Sequence, residues 1–423
     1  MTETELVDQA FEYTFSYVTM GRLRAVTLGD GRKPGRIALN AWNHRRNLAG
    51  PRDRRVTTPN ADTAYSILWT DLASGPIVLS TPDTDERYYS LAFLNMATDN
   101  FAVTGRRVSG TRAERFVLVG PDWDRPLPPN IKVIRAPNND VVVLCRILVN
   151  GETDLSAVNA LQDAFTVEPL GTASNKVWDG EIGIGEGPQP FVNLANTMLA
   201  RNPPPRYERA LLERFCEVGI CGTGRLWEEL PDDTKALWQE RWPSLLGSLT
   251  GGLLGIGPVV NGWRYSKANL GNFGTDYRYR AQVALDGLLA LEPAEATYPS
   301  TKTDAENQPL NGAQRYRLRL PAGVPQVNAF WSLSMYQKEP DGMLFFASNS
   351  INRYAIGDRT PGLKRDADGS LTISIQHEEP AFAAERANWL PAPSGDFHIV
   401  FRAYEPKAVF RDGREPLPAV QRL

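Results

Sequence analysis

The chain has 423 residues, of which 42% are hydrophobic and 22% are charged. A chain of this length is expected to form more than one packed unit, because single cores seldom grow beyond about 250–300 residues. The 46 basic and 49 acidic residues leave a net charge of -3. This balance argues against nonspecific nucleic-acid binding, which needs a basic excess.

The cysteines and the N-terminal sequence indicate where the protein works. The chain has three cysteines, Cys145, Cys216 and Cys221, which is too small a number, and an odd one, for a disulfide framework. Reduced thiols are therefore predicted. Glu3 and Glu5 stand where a signal peptide needs basic residues, and no apolar run approaches the roughly 20 residues that span a bilayer. These features predict a cytoplasmic protein without a membrane partner.

The first part of the chain is predicted to form one helix followed by strands. Thr2 and Glu5 have the spacing of a capping box, which predicts a short opening helix. Apolar residues then occur in short runs bounded by Pro, Gly and Asp, a pattern typical of strands. The predicted strands cover residues 76–80, 87–94 and 115–119.

From Asp154 onward the apolar period becomes helical. Leu155, Val158 and Leu161 share one helix face behind Asp154, which is a candidate N-cap. The glycine-rich segment 180–187 is interpreted as a flexible loop, because its acids would repel a phosphate. Further helices are predicted at residues 190–199, 207–218 and 277–291.

Alternating apolar residues return near the C-terminus and predict a second set of strands. Asp366–Ser370 contains a D-G pair before one of them, which predicts a hairpin turn. The predicted strands cover residues 315–320, 330–335, 371–376 and 397–404.

The element order predicts a fold that is mainly β with a helical connecting segment (α+β). Residues 1–150 are expected to form the opening helix and a first β-sandwich domain. Residues 151–299 are expected to form the helical connecting segment, and residues 300–423 a second β-sandwich domain.

Familiar catalytic and metal-binding motifs are missing from the sequence. There is no Gly-x-Ser-x-Gly elbow, Walker loop or His-Glu-x-x-His motif. His44, His377 and His398 are not spaced as metal ligands, so no metal site and no cofactor are predicted, although a divalent metal is left open. His377 precedes two glutamates and is retained as a reserve acid/base residue.

A first polar cluster runs from Asn60 through Asp62 and Tyr65 to Trp69. Asn60 and Asp62 can form and cap a turn, which is the structural interpretation. The functional interpretation is that a carboxylate and a phenol converge on a substrate hydroxyl or amide.

Two further clusters contain aromatic residues beside turn residues. Asn272 and Asp276 lie before a predicted helix, where Asp276 can bind substrate, cap the helix or pair with Arg280. Trp389 precedes a proline-rich turn, where its indole can stack on a sugar or fill the end of a β-sandwich.

The last cluster is a loop that combines amide, phenol and charged side chains. Such a loop can hold a carboxylate or a polyol, and it can equally be locked by internal salt bridges. Its members are Asn352, Arg353, Tyr354, Asp358 and Arg359.

Taken together, the sequence motifs in these clusters resemble those of the bacterial proteins that join domain-of-unknown-function family twelve fifty-four (DUF1254) to family twelve fourteen (DUF1214). The first signature resembles residues 60–66 and 87–89, and the second resembles residues 352–354, 357–362 and 388–393. The resemblance implies two jelly-roll-like β units with connecting helices, similar in shape to a two-domain amidase acting on glycoproteins. It does not imply a particular reaction.

The leading hypothesis is an enzyme that acts on a small polar or polyhydroxylated molecule by acid/base hydrolysis or elimination in a cleft between the β units. Asp62 is the expected base or nucleophile, Tyr65 its proton partner and His377 the reserve. Arg87 is included among the predicted binding residues because it belongs to the first family signature. The expected substrate-binding residues are Asn60, Trp69, Arg87, Asn272, Asp276, Asn352, Arg353, Tyr354, Asp358, Arg359 and Trp389.

Two other classes of function are kept. One is a non-catalytic carbohydrate or small-molecule binding protein, because jelly rolls serve as binding modules as well as enzymes. The other is a structural partner in an assembly, which would show exposed apolar patches instead of polar loops. The expected partner is a small-molecule substrate, and a homo-oligomer is left open.

Overall fold

The structure is a computed structural model that describes residues 2–28, 37–170, 186–249 and 252–423. Elements are numbered here in chain order. In these residues the helices are α1 (Glu3–Thr27), α2 (Leu155–Ala164), α3 (Pro188–Arg201), α4 (Arg209–Phe215), α5 (Asp232–Ser248), α6 (Gly252–Gly255), α7 (Tyr277–Asp286), α8 (Ala383–Ala387) and α9 (Ala408–Arg411).

The first β unit contains two sheets that pack face to face. Its strands are β1 (Asn43–His44), β2 (Thr63–Asp71), β3 (Ile77–Thr81), β4 (Tyr89–Leu94), β5 (Asn100–Gly105), β6 (Glu114–Val119), β7 (Lys132–Arg135), β8 (Asp140–Leu148) and β9 (Thr166–Pro169). Sheet A has the order β7-β6-β3-β9, and sheet B has the order β1-β2-β8-β4-β5. Apolar side chains from both sheets form the core between them.

The second β unit is built in the same way. Its strands are β10 (Val259–Val260), β11 (Trp263–Arg264), β12 (Ala296–Thr297), β13 (Ser300–Thr301), β14 (Tyr316–Leu320), β15 (Trp331–Lys338), β16 (Leu344–Phe345), β17 (Ala355–Gly357), β18 (Leu371–Gln376), β19 (Trp389–Pro391), β20 (Phe397–Tyr404) and β21 (Gln421–Arg422). Sheet C has the order β10-β11-β13-β20-β15-β16, with β12 on β20 and β17 on β15. Sheet D has the order β19-β18-β14-β21, and a second core separates it from sheet C.

Strand alternation gives sheets B and C a second buried face. On β8, Val141, Val143 and Cys145 enter the core shared with sheet A, whereas Val142 and Leu144 enter a third core. This third core joins sheet B to sheet C and continues into α1, α3, α5 and α7. The order of layers is therefore A, B, C and D, with the helices packed beside the B–C contact.

The predicted fold class is confirmed: the structure is mainly β with helices between two β-sandwich-like units. The capping box is present, because the Thr2 hydroxyl accepts a hydrogen bond from the Glu5 amide, and the Glu5 carboxylate accepts one from the Thr2 amide. The D-G turn is also present, since the Gly369 amide donates to the Asp366 carbonyl.

Several predicted boundaries differ from the structure. The opening helix spans 25 residues, because its buried face packs on the other helices. The first unit extends past residue 150, since β9 pairs with β3, and β10–β13 join sheet C although most of them precede residue 300. α5 was not predicted, the helix predicted at 277–291 ends at Asp286, and residues 180–185 of the predicted loop lie outside the described residues.

Two of the cysteines are not reduced thiols as predicted. A turn at Gly219, whose φ of 87° is left-handed, brings Cys216 and Cys221 within 4.5 Å between Cα atoms, and their sulfur atoms form a disulfide. Cys145 is free, and burial raises the pKa of its thiol. Among the described helices, none is long and apolar enough to cross a membrane.

Candidate functional site

Sheets B and C each direct one arginine of an inner strand toward the other sheet. On sheet B, Arg146 of β8 lies in register between Tyr65 of β2 and Ser90 of β4. On sheet C, Arg402 of β20 lies beside Ser332 of β15. Residues paired across antiparallel strands share a face, so these two polar rows meet in the B–C contact.

Tyrosine side chains connect the two arginines. Arg146 Nη1 donates to the Tyr298 hydroxyl at 2.8 Å, and its guanidinium lies 5.1 Å from the centre of the Tyr65 ring. Arg402 Nη2 donates to the Tyr336 hydroxyl at 2.7 Å, and its guanidinium lies 5.6 Å from the centre of the Tyr298 ring. Both cations therefore lie against aromatic faces, which attract positive charge.

Neither arginine has a carboxylate partner among the described residues. Arg146 and Arg402 are only 7% and 6% exposed, and the Nε atom of each has no hydrogen-bond partner. Arg201, by contrast, pairs with both Asp71 and Asp140. Buried charges are normally paired, so Arg146 and Arg402 leave positive charge available to an anion.

Asn60 holds two phenols at the edge of this site. Its amide Nδ2 donates to the hydroxyls of Tyr65 at 3.0 Å and Tyr404 at 2.8 Å. Its Oδ1 accepts a hydrogen bond from the Asp62 amide at 2.7 Å, which is the predicted turn. The turn thus fixes an amide donor between one phenol from each β unit.

The two phenols differ in acidity because their surroundings differ. Burial acts to raise the pKa of Tyr65, but the positive charges of Arg146 and Arg402 outweigh it and bring the pKa below its usual value. Hydrogen bonds with Asn60 and Thr63 add to this effect. Burial and the neighbouring Tyr65 raise the pKa of Tyr404 well above its usual value. Such separation is typical of an acid/base pair.

Solvent reaches one end of the B–C contact. On β2, Tyr65 and Ile67 are partly exposed, although Ala64, Ser66 and Leu68 on the other face are buried. Tyr65 and Ile67 point toward sheet C. Tyr65, which pairs with Arg146, is therefore partly accessible to solvent.

Asp62, the predicted base, forms an ion pair between the β units. Its Oδ1 accepts from Arg359 Nη2 at 2.8 Å, and its Oδ2 accepts from the Ser332 hydroxyl at 2.5 Å. Arg359 also donates to the Val149 carbonyl at 3.0 Å and stacks 4.3 Å from the centre of the Phe330 ring. The structure brings Asp62 and Arg359 together as expected, but both carboxylate oxygens are occupied, so the pair has a structural role.

Arg353, Trp389 and His377 lie at sheet D, one layer away from the B–C contact. Arg353 Nη1 donates to the Trp389 carbonyl at 2.8 Å, and Trp389 Nε1 donates to the Gln376 carbonyl at 2.9 Å. His377 Nδ1 lies 2.9 Å from the Ala392 carbonyl oxygen. Trp389 is 3% exposed, so its indole offers no stacking surface. The structure does not place these three residues with Asp62.

Three other predicted binding residues have structural partners. Arg87 forms two hydrogen bonds with the Asp154 carboxylate, at 2.5 and 2.9 Å, in place of the predicted helix cap by Asp154. Asp276 caps α7 by accepting from the Tyr279 amide at 3.2 Å, and it pairs with Lys267 at 2.8 Å. Trp69 is fully buried in the core. Of the alternatives predicted for Asp276, the structure shows the helix cap, and Arg87 and Trp69 also have structural contacts.

The remaining predicted residues lie at or near the surface. Asn272 is exposed in the turn before α7. Asn352 Oδ1 accepts from the Tyr354 hydroxyl at 3.1 Å, and the Tyr354 ring stacks on Phe346 at 5.3 Å. Asp358 accepts from a backbone amide of β15 at 3.3 Å. Within the described ranges, no three His, Cys, Asp or Glu side chains are grouped to hold a metal ion.

Sequence reasoning missed Arg146, Tyr298, Arg402 and Tyr404 as site residues. A signal was present for both arginines, because each interrupts an otherwise apolar run within a buried strand. Arg is almost never fully buried without a partner, so such an interruption is informative. Tyr298 and Tyr404 had no comparable signal, since tyrosine is common in ordinary cores.

Comparisons with known proteins agree with this architecture. Residues 39–169 match a family described as protein of unknown function (DUF1254), and residues 295–408 match another of the same description (DUF1214). The VPA0106 protein from Vibrio parahaemolyticus has a similar crystal structure, with a TM-score of 0.77 and 22% identity over 100% of both chains. At this identity the likeness establishes a shared fold and nothing further.

A second solved structure, an uncharacterised protein from Burkholderia cenocepacia, has a TM-score of 0.47 and 11% identity over 99% of this chain and 94% of its own. No curated protein matches the chain. The two family matches cover the two β units in the order that the motifs predicted. The chain therefore belongs to the proteins that pair an N-terminal DUF1254 domain with a C-terminal DUF1214 domain.

Proposed function

We propose that this protein is an enzyme that transfers a proton to or from a small anionic molecule bound between sheets B and C. The observation that carries this proposal is the pair of buried arginines, Arg146 and Arg402, which have no carboxylate partner among the described residues and lie beside the partly exposed Tyr65. Guanidinium groups bind carboxylates through charge-assisted hydrogen bonds, which are strong in a buried site.

Tyr65 is the proposed general base. Its hydroxyl accepts a hydrogen bond from Asn60, and its ring lies against the Arg146 guanidinium, so both neighbours stabilise the phenolate. A phenolate placed beside a bound carboxylate can take a proton from the adjacent carbon. The two guanidinium groups then stabilise the negative charge that develops on the carboxylate oxygens.

Removal of a proton from carbon is the first step of an elimination, so we propose elimination and not hydrolysis as the reaction. The electron pair of the broken C–H bond forms a C=C bond, and the leaving oxygen departs with its own bonding pair and takes up a proton. Tyr298 is placed to donate that proton, because its oxygen already accepts from Arg146 and no described residue accepts its hydrogen. No step of this sequence uses Asp62, whose oxygens are occupied.

The test compares wild type with Tyr65→Phe, Arg146→Gln and Arg402→Gln in heavy water containing a panel of small carboxylates. NMR measures loss of the C–H signal next to the carboxylate and formation of unsaturated products. We expect Tyr65→Phe to lower the rate by about a hundredfold or more, the usual contribution of a general base. Tyr265→Phe, a buried tyrosine of the outer core, is the matched control and should leave the rate unchanged.

The outcomes separate the enzyme from the binding protein. If carboxylates bind to wild type but not to the arginine variants, and no proton is exchanged, the chain is a small-molecule binding protein. If Tyr65→Phe retains the full rate, another group is the base. If no carboxylate binds, the anion site itself is absent.

A further inference from the structure

We infer that Cys216 and Cys221 form a reversible redox pair, which thiol–disulfide exchange opens and closes while the protein stays folded. A small dithiol opens the disulfide, and a small disulfide closes it. The reduced thiols predicted from the sequence and the disulfide of the structure are then two states of one pair. The pair lies directly after α4 in the helical part of the molecule, so this inference is independent of the proposed site between sheets B and C.

The turn between the two cysteines is fixed by hydrogen bonds that do not involve sulfur. Asn196 of α3 is fully buried, and its Oδ1 accepts from the amides of Cys221 at 2.8 Å and Gly222 at 3.1 Å. Its Nδ2 donates to the carbonyls of Gly219 at 2.8 Å and Arg225 at 3.0 Å. Opening the disulfide removes none of these four bonds.

Apolar side chains within the turn anchor it to the helices. Val218 and Ile220 are 1% and 0% exposed and belong to the third core. Trp238 of α5 donates from Nε1 to the Val218 carbonyl at 2.8 Å, and the Ile220 amide donates to the Phe215 carbonyl at 3.0 Å. The backbone on both sides of the disulfide is therefore positioned by the core, whether or not the sulfur atoms are bonded.

This backbone places the two cysteines at bonding distance. Their Cα atoms are 4.5 Å apart, within the range of about 4.4–6.8 Å that disulfides occupy. Because the turn maintains this distance, each thiol has a high effective concentration for the other. The two cysteines are only five positions apart, and a short loop restricts the unfolded chain less than a long one does. Reduction is therefore expected to cost little stability.

Solvent reaches both members of the pair. Cys216 and Cys221 are partly exposed, whereas Cys145 is 1% exposed. A small thiolate can therefore approach the Cys216–Cys221 bond, as thiol–disulfide exchange requires. Cys145 serves as an internal reference, because it is a free thiol that the same reagents do not reach in the folded chain.

The exchange takes place in two steps. One thiolate of a dithiol such as dithiothreitol attacks one sulfur of the pair, forms a mixed disulfide and releases the other cysteine as a thiolate. The second thiolate of the reductant then attacks its own sulfur in the mixed disulfide and releases the first cysteine. Two electrons and the two thiol protons of the reductant pass to the cysteines, and the reductant becomes a cyclic disulfide.

The experiment incubates the folded full chain in mixtures of reduced and oxidised dithiothreitol. Alkylation followed by peptide mass spectrometry measures the open fraction of the pair, and circular dichroism measures the fold. We expect the same open fraction from oxidised and from reduced starting protein, with unchanged circular dichroism and with Cys145 unmodified. A pair that opens only after denaturation, that unfolds the chain when it opens, or that never closes would overturn the inference.

Variants test whether the turn keeps the two thiols together. Asn196→Ala should raise the ratio of oxidised to reduced dithiothreitol at which half of the pair is closed by about tenfold, the effect of losing about one net hydrogen bond. Trp238→Phe removes one bond to the turn and should give a smaller shift in the same direction, which keeps the test valid if Asn196→Ala does not fold.

Gln189→Ala is the matched control, because Gln189 is an exposed residue of α3 whose amide contacts Glu228 and not the turn. It should leave the ratio at half closure unchanged. The wild-type ratio for both Asn196→Ala and Trp238→Phe would contradict the inference, since the turn would then not maintain the distance between the thiols.

Discussion

Asp358 shows how the position of a single residue sets its charge at the contact between the two β units. Its carboxylate lies 3.7 Å from Arg359 Nε and accepts a hydrogen bond from the Trp331 amide. Burial nevertheless raises the pKa of Asp358 to about 6, and the nearby Asp62 charge raises it further. The group therefore takes up a proton in weakly acidic solution.

This pKa predicts a pH-dependent difference between wild type and Asp358→Asn. The pKa in the folded chain lies above the unfolded value of about 3.9, so the stability contributed by the protonated group is fully present below that value. It is lost as the pH rises through about 6. At neutral pH we expect the variant to be more stable by on the order of 1 kcal/mol, a value reduced for partial exposure.

Urea unfolding of both proteins across this pH range measures the difference, which should vanish near pH 4, where the carboxyl group is about half protonated or more in either state. The same advantage for the variant at every pH would contradict the titration of Asp358. Asp366→Asn is the control, because Asp366 lies in an exposed turn whose hydroxyl contacts lower the pKa of its carboxyl group.

At the scale of elements, β17 positions the loop that carries Arg359 to the other β unit. The strand pairs with β15, and a Cβ atom on Gly357 would lie 2.2 Å from the Trp331 carbonyl oxygen. A side chain at Gly357 therefore requires the two strands to separate. Gly395, in an exposed bend, has no atom within 4 Å of such a Cβ.

We expect Gly357→Ala to lower the free energy of unfolding by about 2 kcal/mol or more, the range of changes that strain a packed backbone. Gly395→Ala should change it by less than about 0.5 kcal/mol, as for an unstrained surface substitution. Chemical denaturation measures both variants. Equal stability of the two would show that β15 and β17 adjust without strain.

For the whole molecule, the β units are joined by one core and by polar contacts that cross it. The core contains side chains of sheets B and C and of the helices. Arg359 pairs with Asp62, Arg106 pairs with Glu405, and Asn60 binds Tyr404. These contacts, together with the core, set the separation of sheets B and C.

Removing one member of the buried Asp62–Arg359 ion pair is expected to lower the stability of the protein substantially. Arg359→Met leaves Asp62, which is 4% exposed, without its cation, and should lower the free energy of unfolding by about 3 kcal/mol. Adding Asp62→Asn should restore part of that loss, because the uncompensated charge is removed. A double-mutant cycle from denaturant unfolding measures both effects.

Arg319→Met provides the comparison for this cycle. Arg319 pairs with Asp368 on the surface with 53% of its side chain exposed, so its loss should be below about 1 kcal/mol. A loss for Arg359→Met as small as that for Arg319→Met would mean that the Asp62–Arg359 pair does not hold the units together.

The sequence by itself determined the local features of this protein. Alternation predicted β14 and β18, because one face of each strand meets a core and the other meets water. Thr2 and Glu5 predicted the start of α1, since a capping box involves only neighbouring residues. The family motifs also placed Asp62 in the first signature and Arg359 in the second, and the two domains that carry these signatures meet at the contact between sheets B and C.

Only the tertiary structure decided which polar side chains share a site. Arg146 and Arg402 lie on different domains, and their meeting depends on the register of β2, β8 and β20 and on the packing of sheet B against sheet C. Neither register nor sheet packing leaves a periodic signal in one sequence, because both arise from contacts between distant residues. The packing of sheet B against sheet C also occupied Asp62 through the Ser332 hydroxyl, and Trp389 is buried separately at sheet D. The chemistry that we propose therefore uses Tyr65 and not these two predicted residues.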